Sequence, residues 1–169
     1  MPRGLKQTSS VVAIGFSATE GAANTFAQTT VDLNLSPLDR EVFVVLAVNL
    51  DPGSPDMVNA VDTRVSSSIT TTSQTAVQDL SNTNCIAAAG NSIKNDGTTA
   101  AAFQTGFLET PSGLGLEYVG IIATNDFFVQ INGSGNTGAK AVTGKLYGYR
   151  ARADADIFSA LVQSEVLSA

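Results

Sequence analysis

The stretch of this chain closest to a known chemical motif is Gly133-Ser134-Gly135-Asn136-Thr137-Gly138-Ala139-Lys140-Ala141, which nearly spells a phosphate-binding loop. That motif cradles phosphates on backbone N–H groups, with a Lys directly after the last Gly and then a Ser or Thr for magnesium. Here Ala139 intervenes before Lys140, and Ala141 stands where the hydroxyl belongs. The next residues, Val142-Thr143-Gly144-Lys145-Leu146-Tyr147, alternate like a strand, so no helix N-terminus would follow to hold the anion. The spacing predicts a flexible hairpin loop. Asp51, Asp56 and Asp62 share one loop region with Pro52 and Pro55, an oxygen-rich arrangement of the kind calcium takes. Their spacing matches no calcium motif, and a solvated acidic loop explains them as well.

The run Lys145-Leu146-Tyr147-Gly148-Tyr149-Arg150-Ala151-Arg152 mixes aromatic and basic side chains. By strand parity Lys145, Tyr147 and Tyr149 share one face and Arg150 and Arg152 the other. A platform for single-stranded nucleic acid would want both types together. The split favours an edge strand guarded by charge, its arginines paired with Asp154, Asp156 or a neighbour's carboxylate. Asn132-Gly133-Ser134 matches the glycosylation acceptor pattern, which matters only in a secretory pathway. Cys85 stands alone in Cys85-Ile86-Ala87-Ala88-Ala89 with no base beside it, and reads as a small packed hydrophobe.

The inventory for catalysis is thin. There is no His, so no Ser–His or Cys–His pair exists, and the carboxylates scatter over turns. No enzyme activity, cofactor or metal is assigned. Only 14% of residues are charged, against about a quarter in an ordinary globular chain. A surface filled instead with Ser, Thr, Asn and Ala is easily desolvated, as interface cores are. A net charge of −6 and a pI near 4.4 argue against a nucleic-acid-coating surface.

At 169 residues the chain suits one domain. The longest apolar run, Val42 to Val48, falls far short of the roughly 20 residues of a membrane-spanning helix. Residues 1–10 read as a flexible polar arm rather than a cleaved signal, and residues 11–169 as the domain. Val31, Leu33 and Leu35 alternate with Asp32 and Asn34 as in a strand with one wet face. Glu41 to Leu50 is apolar on both parities, so it predicts a central strand whose second face lies under another sheet or a neighbouring subunit. Thr63 to Thr72 predicts an exposed strand, while Ala76 to Leu80 and Cys85 to Ile93 are ambiguous. Asn95-Asp96-Gly97 signals a hairpin of the type I′ kind. Strands follow at Thr98 to Glu109 (with Phe103, Thr105 and Phe107 on one face), Leu116 to Ala123, Phe127 to Ile131 and Ala141 to Ala153. About eight strands at even spacing predict an all-β sandwich or barrel. Ile157, Phe158, Leu161, Val162 and Glu165 then recur at helical spacing after Asp154, predicting a short C-terminal helix over about 155–168.

The segment Leu38-Asp39-Arg40-Glu41-Val42-Phe43-Val44-Val45, the Ser/Thr-rich middle and the closing Lys145-Leu146-Tyr147-Gly148-Tyr149-Arg150 resemble small virion proteins of uncultured aquatic viruses. Size, strand count and lack of chemistry are similar to single jelly-roll coat proteins of tailless icosahedral viruses. The resemblance implies an eight-stranded jelly-roll β-sandwich, assembly of copies into trimers or pseudo-hexameric capsomers of a virion shell, and an arm running under neighbours. The acidic pI departs from coat proteins with genome-binding arms, and favours contact with other coat proteins or an internal membrane over strong nucleic-acid binding.

These readings converge on a self-assembling capsid subunit made of β-structure. The residues expected at its assembly interface are Val42, Phe43, Val44 and Val45, with Arg150 and Arg152, and Ile157, Phe158 and Leu161 of the helix. Two other classes remain: a trimeric receptor- or carbohydrate-binding module using Tyr147 and Tyr149, and a filament or appendage subunit.

Overall fold

Strands that carry apolar residues on one parity must bury that face, and two sheets laid face to face are one way to do it. The structure is a computed structural model that describes residues 2–106 and 116–168. Its strands are β1 (Leu5–Gln7), β2 (Val12–Thr19), β3 (Ala27–Asp32), β4 (Glu41–Pro52), β5 (Thr63–Thr70), β6 (Cys85–Asn95), β7 (Ala100–Thr105), β8 (Gly120–Ile122), β9 (Asp126–Ser134) and β10 (Ala141–Ala153), followed by helix α1 (Ala155–Leu167). All pairings are antiparallel. One sheet runs β1-β10-β4-β8, with β2 also on β10; the other runs β3-β9-β5-β6-β7.

That order is a jelly roll. Strands β1 and β2 pair with successive stretches of β10 and together fill one strand position, so the first sheet has four positions. The second has four positions in β3, β9, β5 and β6, and β7 is an addition at its edge. The links β2–β3, β3–β4, β4–β5, β8–β9 and β9–β10 each change sheet, as a doubled Greek key requires. The expected eight-stranded sandwich with a C-terminal helix is therefore present, in ten segments rather than eight.

Between the sheets lie Phe16, Phe43, Val45, Leu50, Ile69, Phe127 and Leu146 among others. Phe16 and Phe127 meet edge to face at 5.8 Å between centroids. Two glycines of β10 make room for aromatic rings: a Cβ on Gly144 would strike Phe16, and one on Gly148 would strike Phe43.

Strand β4 is central, as its two-sided apolar pattern predicts, but simple alternation fails inside it. The register with β10 shifts between Tyr147 and Gly148, which leaves Leu46 as an extra residue on β4. This bulge reverses the parity beyond it. Phe43, Val45, Val48 and Leu50 consequently face the inter-sheet core, while Val42, Val44 and Leu46 face outward. Their cover is neither a sheet nor a neighbour but α1, which lays Ile157, Phe158, Leu161 and Val162 on Val42, Val44, Tyr149 and Ala151.

Other expectations shift. Residues 1–10 are not a free arm throughout: Leu5–Gln7 pair with Ala151–Ala153, Leu5 is buried, and Gly4 accepts a hydrogen bond from the Asp154 N–H. The strand expected at Val31–Leu35 ends at Asp32. Leu33 and Leu35 are buried beyond it, because the Leu33 N–H donates to the Asn125 carbonyl and the Leu35 N–H to the Asn125 side chain. The Ser/Thr-rich β5 is not exposed; it sits between β9 and β6 with Ser67, Ser68 and Thr70 buried. Cys85 to Ile93 is strand. The turn after Asn95 is wider than a type I′ pair, with positive φ at Gly97 alone and Asp96 accepting the N–H groups of Thr98 and Thr99. The strand expected at 98–109 covers Ala100–Thr105, and Phe107 and Glu109 lie outside the described residues. No helix among the described residues is long and apolar enough to cross a membrane.

Candidate functional site

The near-miss phosphate loop is an anion-binding loop after all, and the anions are its own chain's carboxylates. It joins β9 to β10 across the end of the sandwich. Glu20, just past β2 and 3% exposed, accepts the N–H of Gly133 at 2.5 Å and of Lys140 at 2.8 Å. Asp56 accepts the N–H of Thr137 at 3.0 Å and of Gly138 at 3.2 Å, together with the Thr137 hydroxyl and the Lys140 ammonium. The Asn136 N–H donates to Asn24 Oδ1 at 2.8 Å. Asn136 itself, buried, donates to the Arg64 carbonyl and accepts the Asp56 N–H. Gly135 has φ +70° and lies against the Asp62 carbonyl, where a Cβ has no room. The Lys140 ammonium, aided by the Thr137 hydroxyl, holds the Asp56 carboxyl well below the usual carboxylate range. The loop expected to be flexible is thus clasped at both ends, and its donors are not left for a phosphate.

The acidic residues at 51–62 do not act as one group. Asp56 pairs with Lys140 and Asp62 with Lys94 at 2.7 Å. Among the described residues no group of His, Cys, Asp and Glu is placed to hold a metal ion.

The arginines expected at an interface hold a different loop. Arg150 donates to the Leu33 carbonyl at 2.8 Å and the Asn34 carbonyl at 3.3 Å, with Glu41 at 3.8 Å. Arg152 donates to Asp39 at 3.2 Å. Both therefore pin the β3–β4 connection rather than pairing with Asp154 or Asp156. Arg152 remains exposed and Arg150 is half-buried.

Val42, Phe43, Val44 and Val45 are 0–1% exposed within one chain. Within one chain the apolar pattern that suggested a partner is covered by α1 and the opposite sheet. Ile157, Phe158 and Leu161 are half-buried and face that same cluster. The Tyr platform is also broken. Tyr149 is buried under the helix and its phenol is pushed up from its ordinary pKa by that burial, with Glu117 adding to the shift, so Tyr147 is left half-exposed beside Asn49, Asp51, Thr143 and Lys145. The Cys85 thiol is pushed up to about 11, chiefly by burial, which keeps it in the less reactive protonated form.

Two side chains, Glu165 and Gln130, have structural roles that the sequence reading did not assign. Glu165 of α1, 6% exposed, accepts the N–H of Ala123 at 2.8 Å and of Thr124 at 2.9 Å, fixing the β8–β9 turn to the helix. Gln130 of β9, fully buried, accepts from Ser68 and donates to Thr70 and Gln28. Strand β7 exposes all six residues. Helical periodicity placed Glu165 on the apolar stripe, and that anomaly was its one signal.

No family model matches the chain, and no curated protein matches it. Among solved structures, a chain of Desmodium yellow mottle tymovirus aligns with a TM-score of 0.33 and 11% identity, covering 92% of this chain and 89% of that chain. A likeness of that degree carries no argument about function; the jelly-roll assignment stands on the strand order.

Proposed function

We propose that this chain is a structural subunit that assembles with copies of itself, and that the assembly is a virion shell. The observation that carries the reading is where the polar side chains go. Glu20, Asp56, Glu165 and Arg150, the kinds of group that would meet a substrate in an enzyme, bind backbone groups of their own chain and lock the loops. What remains outside is poor in charge and carries separate apolar side chains, with Leu38, Met57, Leu80, Phe103 and Leu167 more than half exposed. Loops made rigid in this way keep a subunit's outline constant, which repeated contacts in a closed assembly need. The jelly roll agrees with this role, although a fold alone does not assign one.

Electron microscopy of the purified chain, with mass measurement, tests the reading. Closed shells or discrete capsomers are the expected result. A monomer that persists at all accessible concentrations overturns it, and open fibres select a filament subunit instead. With Tyr149 buried, a carbohydrate-binding module has no paired aromatic platform on this face.

A further inference from the structure

Strand β7 is the segment of the fold with the least reason to be bare. It pairs with β6 on one side, from Asn95↔Ala100 to Gly90↔Thr105, and among the described residues no strand lies on the other. All six of its residues, Ala100-Ala101-Ala102-Phe103-Gln104-Thr105, are exposed. A sheet edge presents a row of unpaired N–H and C=O groups, and proteins that keep such an edge single place charge, Pro or a bulge on it. None of these occurs in β7, whose register with β6 is unbroken. The other uncharged edges differ: β2 sends Phe16 and Ala18 into the core, and β8 is only three residues long with Ile122 buried. Strand β7 lies outside the eight strand positions of the jelly roll, with exposed residues on both of its faces.

We infer that β7 is the edge through which two copies of this chain join, antiparallel across a two-fold axis, into one continuous sheet. The inference rests on the self-assembly reading and names its contact. Backbone groups at an edge call for a strand, which sets the class of occupant. The sequence of β7 suits itself. A two-fold axis perpendicular to the sheet pairs residues of equal parity, so Phe103 meets Ala101 or Phe103 of the partner, and no charge opposes a like charge. Lys94 and Asp96 belong to the turn end of the hairpin, and antiparallel pairing carries the two turn ends to opposite extremes of the seam. Beside Phe103 runs an open groove whose lining is mixed: Ala60, Val61 and Ala101 offer apolar contact, and the Lys94–Asp62 pair and Asp96 lie toward the turn end. The joint is isologous and closes at two copies, leaving other surfaces to propagate a shell.

Sedimentation of the wild-type chain against Phe103→Lys and Ala101→Lys tests this. Each variant adds a charge to a position that is exposed in one copy, so the circular dichroism of the folded chain is expected to stay the same. The concentration for half-association should rise by about tenfold or more, because each variant places charge on the edge near the two-fold axis in both copies, as on edges that stay single. In a Cys85→Ser background, Ala102→Cys or Phe103→Cys should form a disulfide-linked dimer on mild oxidation, and this decides the matter even if a Lys variant folds poorly. A wild-type chain that associates, with Lys variants that associate identically and Cys variants that stay unlinked, overturns the β7 seam and leaves the subunit reading standing. A wild-type chain that never associates overturns both.

Discussion

The two sheets each need a cover for their outer face, and the molecule supplies two kinds. On the β1-β10-β4-β8 sheet the cover is apolar: α1 lays Ile157, Phe158, Leu161 and Val162 on Val42, Val44, Tyr149 and Ala151. On the β3-β9-β5-β6-β7 sheet it is polar. A row across three strands, Gln28, Gln130 and Ser68, is roofed by the loop 71–84, which donates its Gln78 N–H to Ser68 and its Gln74 N–H to Gln28. Thr70 accepts from Gln130 and donates to the Thr72 carbonyl. Apolar contact is graded and tolerant of small shifts, whereas a buried polar network is favourable only when each member is satisfied. One cover should therefore fail gradually and the other abruptly.

The sharpest break is Gln130→Ala. It deprives Ser68 of its acceptor and Thr70 and Gln28 of a donor, and of these Ser68 and Thr70 are buried while Gln28 is partly exposed. The expected loss is about 2–4 kcal/mol, from unpaired buried groups plus the void. Urea unfolding checks it, and a loss under about 1 kcal/mol, the net worth of a single ordinary hydrogen bond, would mean that the roof is not a network. The apolar counterpart is Leu161→Ala. Leu161 is half-buried, so the expected loss is about 1–2 kcal/mol, below the range for fully buried leucines. Equal losses from the two variants would erase the contrast.

The sequence declares the apolar cover better than the polar one. Periodicity locates α1 nearly to the residue, and two-sided hydrophobicity marks β4 as central, because both signals follow from where apolar side chains must go. The polar cover has no such signature. Ser66, Ser67, Ser68 and Thr70 read as a wet strand, since a hydroxyl bonded to water and one bonded to Gln130 look alike in sequence. The anion loop shows the same gap: the Gly-rich spacing is visible, but its partners Glu20 and Asp56 lie 113 and 81 residues away in the chain. Val42 to Val45, expected at an interface, show a related gap. Apolarity reports that a surface is covered without saying whether the same chain covers it.

The covers meet at a seam, where the contrast can be made finest. Asn84 of the polar roof donates to Thr72 and to the Ser168 carbonyl at the end of α1, above a small cavity of about 150 Å³ lined by Thr71, Cys85, Leu161 and Glu165. Here the rule of complete satisfaction lapses: Thr71 Oγ1 is buried and has no hydrogen-bond partner among the described residues. A hydroxyl that bonds nothing costs its desolvation and returns nothing, unlike those of Ser68 and Thr70 a few residues away. Thr71→Val keeps the branched shape and removes the oxygen, so unfolding should show no loss and a gain of up to about 1 kcal/mol. The same substitution at Thr70 breaks two bonds and should lower stability. If Thr71→Val instead destabilises as Thr70→Val does, the hydroxyl at the seam has a partner in solution, and the polar cover extends under the helix.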